Sequence, residues 1–213
     1  MKKLPIPLLL LVGLFAVHTN SYALIRLGVK AGINFASITT SGSDTSFSIS
    51  YKRTPGFIGG ASADVAIAPS VSVRTELLFV SRNVKADVKS SDGTTTISST
   101  LKWSELSLAP FLVIRYPLPG GVIPFINAGP EFGLRTFLSK NEGGNGQTLD
   151  QAWKKDNFSV NVGAGIIFPI GPIGDITFDG RYNFGIVNLH SSGPTKARTN
   201  GIQFFLGYNF LKI

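Results

Sequence analysis

The chain has 213 residues, which is enough for one domain with a complete core. Its 20 basic and 12 acidic residues give a formal net charge of +8. It has no cysteine, which excludes disulfides, thiolate metal sites and anchoring through a lipid-modified N-terminal cysteine.

The N-terminal segment has the pattern of a signal peptide. A positive start of two lysines leads into a nearly apolar run at 8–17, and small residues then lead up to Ala23, where cleavage fits. The run is too short for a spanning helix, and no other stretch approaches about 18 unbroken apolar residues. We therefore expect residues 1–23 to be a signal peptide and residues 24–213 to form the mature domain, which can span a membrane only with strands.

An exported protein seldom meets nucleic acid. Removal of Lys2 and Lys3 lowers the formal charge from +8 to +6, so the mature chain stays basic. This charge favours anionic lipid headgroups, and not nucleic acid, as the partner.

Along the mature chain, apolar residues alternate with polar or small ones, which is typical of β-strands. In the first segment the apolar set is Ile25, Leu27, Val29, Ala31, Ile33 and Phe35. Eight such segments follow one another, at 25–38, 56–67, 71–84, 101–116, 122–138, 157–168, 175–187 and 199–210. Each can cross a bilayer as a tilted strand, which takes about 9–11 residues.

The links between these segments alternate in length. Short turns rich in Pro and Gly lie at 68–70, 117–121 and 169–174. Long polar stretches lie at 39–55, 85–100, 139–156 and 188–198. With both termini on the short side, this pattern predicts a transmembrane barrel whose short turns face the periplasm and whose long loops face outward.

A soluble β-sandwich or lipocalin-like barrel would show the same alternation. Against it, the apolar face continues through every strand, and apolar-face aromatics concentrate near the strand ends. They are Phe35, Phe57, Phe79 and Phe158 at one rim, and Tyr116, Phe168 and Phe210 at the other. We therefore predict an all-β fold, an eight-stranded antiparallel up-and-down transmembrane β-barrel with a packed polar lumen.

The polar face supplies the charges of the predicted lumen. The cations are Arg26, Lys30, Arg74, Arg115, Arg135 and Arg181, and the acids are Asp64, Glu76, Glu105, Glu131, Asp175 and Asp179. Eight strands leave an interior just wide enough for side chains, so these charges must pair with one another. We interpret them as a structural plug of salt bridges, and a proton or ion path is the functional alternative.

Six short motifs resemble one family across nearly the whole mature chain. They are Val29-Lys30-Ala31-Gly32-Ile33-Asn34-Phe35, Arg74-Thr75-Glu76-Leu77-Leu78-Phe79, Leu106-Ser107-Leu108-Ala109-Pro110-Phe111-Leu112, Asn127-Ala128-Gly129-Pro130-Glu131-Phe132-Gly133, Asp179-Gly180-Arg181-Tyr182-Asn183-Phe184-Gly185 and Phe205-Leu206-Gly207-Tyr208-Asn209-Phe210. In this order they resemble the PorT-like outer-membrane β-barrel family of Bacteroidetes-type bacteria. The resemblance implies the fold and an outer-membrane location, and a PorT-like member is a component of a protein secretion system. The chain departs from the usual aromatic ending, because three residues follow Phe210.

Little in the sequence points to catalysis. His190, beside Ser191 and Ser192 in the last long loop, is the one histidine of the mature chain. Some outer-membrane barrels that edit lipid A use a Ser and a His, but no third group orients this pair. The Gly-Gly-Asn-Gly run at 143–146 lacks the strand-to-helix context of a phosphate loop. We expect no enzyme activity, no cofactor and no metal site.

These observations predict a structural or surface-interaction protein of the outer membrane. Its long loops would meet lipopolysaccharide, surface ligands or protein partners. The alternatives are a PorT-like secretion component and a lipid A-modifying enzyme, and the oligomeric state stays open.

Overall fold

The computed structural model describes residues 24–41, 47–90, 96–142, 156–188 and 196–212. Eight strands account for nearly all of them: β1 Ile25–Ser41, β2 Phe47–Ala68, β3 Val71–Ser90, β4 Thr96–Arg115, β5 Ile123–Glu142, β6 Asp156–Pro169, β7 Asp175–Gly185 and β8 Lys196–Lys212. Each pairs antiparallel with its neighbours in sequence, and β8 pairs with β1, which closes the barrel. The predicted fold class is confirmed.

The turns at one end of the barrel are short. Ala68 and Val71 are joined by a two-residue turn, and β6 and β7 are joined through the 3-10 turn Gly171–Ile173. The β4–β5 turn uses Gly120 and Gly121, whose φ angles of 96° and 86° lie in the left-handed region. Glycine adopts this conformation without the steric cost that a Cβ atom brings.

At the other end, the four strands β2 to β5 each run at least four residues further than the sequence suggested. β2 begins at Phe47 where 56 was expected, and β3 continues to Ser90 where 84 was expected. The prediction of long loops at 39–55 and 85–100 is therefore wrong for most of both stretches. Their Ser and Thr content suggested loops, but Thr and the Val and Ile residues among them favour strands once a neighbouring strand supplies backbone partners.

These longer strands continue as a sheet past the last β1–β2 pair. β2 pairs with β3 up to Phe47↔Ser90, and β3 pairs with β4 up to Lys89↔Thr96. By contrast, the β1–β2 pairing stops at Ala36↔Thr54. We call the segments 47–54, 83–90 and 96–102 the upper sheet.

The outer face of the barrel carries a continuous apolar band. The exposed residues that form it include Val29, Ile33, Phe57, Leu77, Phe79, Leu106, Leu112, Ile126, Leu134, Val162, Phe178, Phe204 and Leu206. On β1 the band runs from Ile25 to Phe35, and along β4 it runs from Leu106 to Tyr116, the residue that follows the strand. These lengths match the roughly 9–11 residues that a tilted strand needs to cross a bilayer.

Directly beyond the band, at the end with the longer links, the residues on the outer face are polar. On β3 the next outward-facing residue after Phe79 is Ser81, and on β4 the next one after Leu106, towards the end with the longer links, is Ser104. Within the described part of the chain, no helix is long and apolar enough to cross a membrane.

The pairing between β4 and β5 has a gap in the middle of the apolar band. Leu108 pairs with Phe132 and Leu112 pairs with Ala128, but no pair is formed between them. Pro110 and Pro130 face each other in this gap, and neither has an N–H to donate. The strands nevertheless approach closely, since a Cβ atom on Gly129 would lie 2.0 Å from the carbonyl oxygen of Pro110.

Candidate functional site

In the lower half of the lumen, the half nearer the short turns, four charged side chains form a compact ionic cluster. The Lys30 ammonium lies 2.7 Å from Glu76 and 3.2 Å from Asp179. The Arg181 guanidinium donates to both oxygens of Glu76 at 2.7 Å and also pairs with Asp179. All four side chains are buried. Because each charge has two opposite partners, the cluster compensates the cost of removing the charges from water.

A second group surrounds Asp64 nearer the short turns. Arg74 donates to its carboxylate at 3.1 Å, and Arg115 pairs with the same oxygen. Arg26 lies 3.7 Å from the other oxygen, and 19% of its side chain is exposed. Arg74 also lies 3.9 Å from Asp179, so it joins this group to the Lys30 cluster.

The upper half of the lumen is organised by Arg82. Its guanidinium donates to Glu105 at 2.9 Å and to Glu131 at 3.2 Å, and the residue is fully buried. Glu105 also accepts hydrogen bonds from the Trp103 indole at 2.7 Å and from the amide of Asn157. The other acid, Glu131, accepts from Asn161 at 2.8 Å and from Asn183 at 3.2 Å.

The structure places most of the predicted lumen charges inside the barrel. Those that are buried are Lys30, Asp64, Arg74, Glu76, Glu105, Arg115, Glu131, Asp175, Asp179 and Arg181. Arg26 and Arg135 are partly exposed. Arg135 lies opposite Glu105, at a bulge between β4 and β5.

Sequence reasoning missed Arg82, although a signal for it was present. Arg74 and Glu76 set the inward parity of β3, and the same parity leads to Arg82. Leu78 and Val80, which are also buried, interrupt the polar face of β3 before Arg82, so an unbroken polar pattern does not extend to it. Trp103 also had no predicted role, although this residue has the same inward parity on β4 as Glu105.

Apolar side chains fill the remaining space of the lumen. The clusters are Ile58, Leu78, Val80 and Phe205; Ala109, Phe111, Val113, Phe125 and Ile167; and, at the upper end, Ala36, Ile38, Val84, Trp103 and Ala197 with Tyr51. Arg181 lies 4.3 Å from the centre of the Phe111 ring, and Lys30 lies 4.6 Å from that of Phe205. Such cation–π contacts stabilise both the charge and the ring. The inner face is therefore a mixed core of ion pairs and apolar groups.

The charged groups of the interior pair with one another, as in a structural plug of salt bridges. Its carboxylates are held by cations and amides, and no histidine lies within the described residues. The His190, Ser191 and Ser192 group lies outside the described residues, as do the glycine-rich run at 143–146 and the signal-peptide segment 1–23.

Comparisons with known proteins agree with an outer-membrane barrel. A family model described as outer membrane protein beta-barrel domain matches residues 19–191. No curated protein sequence matches the chain.

Among solved structures, similar folds include three outer-membrane proteins. OprG from Pseudomonas aeruginosa is 14% identical, with 88% of this chain and 94% of that chain covered and a TM-score of 0.49. Neisserial surface protein A is 15% identical, with 86% and 97% covered and a TM-score of 0.48. Ail, the attachment invasion locus protein of Yersinia pestis, is 14% identical, with 89% and 100% covered and a TM-score of 0.42.

The closed barrel, its outward apolar band and its buried charges are what a bilayer demands, because barrel closure leaves no open sheet edge among the described strands. The location is the bacterial outer membrane, and the family model covers most of the sequence. The chain belongs to the outer membrane protein beta-barrel domain family.

Proposed function

We propose that this protein is a non-enzymatic outer-membrane barrel that acts at the cell surface through the end with the longer links. The observation that carries the proposal is the combination of a filled lumen with an upper sheet that stands above the apolar band. A filled lumen leaves little room for transport. The upper sheet, in contrast, offers a surface of paired strands for binding. In this proposal residues 1–23 are removed as a signal peptide and residues 24–213 form the barrel.

The orientation of the barrel is tested with single cysteines, because the native chain has none. Lys85→Cys lies in the upper sheet, and Ser70→Cys lies in the short β2–β3 turn. On intact cells an impermeant thiol reagent should label the first variant and spare the second. The reverse labelling would place the upper sheet in the periplasm and end the proposal.

The surface role is tested by shortening the upper sheet. Replacing residues 86–99 with Asn-Gly joins Lys85 and Thr100, which are paired across β3 and β4, by a tight hairpin turn. Crosslinking on intact cells, followed by purification, should recover partners with the full chain that the shortened chain loses. The same crosslinked species from both proteins would show that the upper sheet is not the contact surface.

Lipopolysaccharide is the partner we propose for the wall of the barrel, since it surrounds any protein in the outer leaflet. The PorT-like motifs support a second candidate, a component of a protein secretion system. Loss of secreted cargo in a deletion strain would favour that candidate. A changed lipid A mass in the same strain would instead indicate a lipid A-modifying enzyme.

A further inference from the structure

Positive charge exceeds negative charge in the half of the lumen nearer the short turns. This half holds five cations, Arg26, Lys30, Arg74, Arg115 and Arg181, and four acids, Asp64, Glu76, Asp175 and Asp179. The other eight of the 12 acids in the chain lie in the upper half of the lumen, at the upper ends of strands or in the long links. The short turns at 69–70, 116–122 and 170–174 contain no charged residue. These side chains therefore carry an excess of one positive charge, even when Asp175 is counted in full.

The excess is concentrated around Asp64. Arg74 and Arg115 both bond to one oxygen of this carboxylate, and Arg26 lies 3.7 Å from the other oxygen. Three guanidinium groups thus share one carboxylate, although Arg74 also lies 3.9 Å from Asp179. Charges removed from water need opposite charges nearby, and one acid does not compensate three cations. We call Arg26, Asp64 and Arg115 the mouth site.

Three hydrogen-bonding atoms of the mouth site have no partner. Arg115 donates through Nη1 to Ser72 at 2.7 Å and through Nη2 to Asp64, but its Nε has no hydrogen-bond partner among the described residues. The same is true of Nη1 of Arg26 and of Oδ1 of Asp64, and all three atoms are buried. Asp64 and Arg115 are each less than a tenth exposed. A buried donor or acceptor without a partner costs free energy, which a ligand with matching groups would recover.

The mouth site is reached from the end with the short turns. Arg26 is the second residue of β1, and Arg115 is the last residue of β4. The side chain of Arg26 is 19% exposed, whereas Asp64 and Arg115 are buried. Arg26 therefore lies at the boundary with solvent. A ligand that enters past it meets the buried atoms of Asp64 and Arg115.

The three atoms without partners define the chemistry of the ligand. The N–H groups of two cations are best matched by acceptor oxygens that carry negative charge. The carboxylate oxygen Oδ1 of Asp64 can only accept, so the ligand must also carry a donor. Hydrogen phosphate has both, because its charged oxygens accept hydrogen bonds while its hydroxyl group donates one. Sulfate, chloride and the phosphodiester of a membrane lipid carry negative charge but no such donor.

We propose that the mouth site binds inorganic phosphate. Arg26 and Arg115 hold its charged oxygens, and Asp64 accepts the hydrogen bond from its hydroxyl group. Guanidinium groups suit this task because their planar set of N–H donors matches the oxygens of phosphate. The bound ion adds the negative charge that this half of the lumen lacks. This assignment does not depend on the surface role proposed for the upper sheet.

The test measures binding of radiolabelled inorganic phosphate by equilibrium dialysis of the protein, purified from outer membranes in an uncharged detergent, at constant ionic strength. The wild type should bind one phosphate per chain. Arg26→Gln should bind about 10-fold to 100-fold more weakly, because it loses a charge-assisted hydrogen bond. This variant should fold, since Asp64 keeps Arg74 and Arg115. The control Arg198→Gln removes an exposed charge at the other end of the barrel and should change the affinity by less than about twofold.

A second arm uses the wild type alone, so the result does not depend on the folding of a variant. Arsenate, which keeps a hydroxyl group, should displace the labelled phosphate, whereas sulfate and dimethyl phosphate, which have none, should not. Displacement by sulfate as effective as that by arsenate would overturn the assignment, because the hydroxyl group would then play no part. Displacement by dimethyl phosphate would point to a lipid headgroup and overturn it equally. Unchanged binding by Arg26→Gln would overturn the location of the site, and absence of binding by the wild type would end the proposal.

Discussion

Replacement of Arg82 should destabilise the barrel more than replacement of any comparable charge near the rim. Arg82→Met removes the guanidinium that bridges Glu105 and Glu131, and it leaves both carboxylates buried near each other. Breaking a buried ion pair from one side costs about 3–5 kcal/mol. The amides of Asn157 and Asn161 remain to donate to these acids, so we expect a value near the lower end of that range.

Arg26→Met is the matched control for this change. It also removes a lumen arginine, but Arg26 lies 3.7 Å from Asp64, and this acid keeps Arg74 and Arg115. With 19% of the side chain exposed and two remaining partners, the loss should be below about 1 kcal/mol.

The assay is reversible urea unfolding of the refolded protein in lipid vesicles, followed by tryptophan fluorescence. Trp103 reports on the same region, because its indole donates to Glu105. Adding Glu105→Gln to Arg82→Met should recover part of the loss, since it removes one unpaired buried charge. A loss below 1 kcal/mol for Arg82→Met, or no recovery in the double variant, would refute the bridging role of Arg82.

Three further predictions concern the wall and the lumen. Leu206→Trp should leave the free energy of unfolding nearly unchanged, because this residue is 55% exposed on the face towards lipid. In the same unfolding assay Gln203→Trp should cost about 1–3 kcal/mol, because Gln203 is fully buried. The opposite ranking would mean that the two faces are exchanged. Pro130→Val restores an N–H opposite the carbonyl of Pro110 and should raise the unfolding free energy by about 0.5–1.5 kcal/mol, while a decrease would mean that the gap is not an unmet hydrogen bond. Planar-bilayer recordings should show no large steady channels, because the lumen is filled, and reproducible nanosiemens openings would contradict this.

The location of the strands and the identity of their two faces follow from the sequence. Alternation of apolar and polar residues is a local property. The outward face can therefore be identified from Ile25 to Phe35, or from Phe158 to Phe168, without knowledge of the partner strand. Soluble proteins bury apolar residues, whereas this barrel has apolar residues outside and charges inside. The same alternation, together with the signal-peptide pattern at the N-terminus, predicts this arrangement.

Other features depended on which strands meet. The upper sheet was mistaken for loops because its stability comes from cross-strand pairing of β2, β3 and β4, which no local pattern reports. The facing prolines at 110 and 130, and the lysines at 52 and 85, are far apart in sequence and become neighbours only through register.

By itself, the sequence determined the number of strands, their order, their faces and most of the charges that had to be buried, because side-chain period and turn composition are encoded locally. The tertiary structure decided which charge pairs with which. Arg181 is joined to Glu76 across 105 residues, and Arg82 to Glu131 across 49. The reason is that barrel closure and strand stagger set the height of each inward side chain, and in so narrow a lumen the height determines the partner.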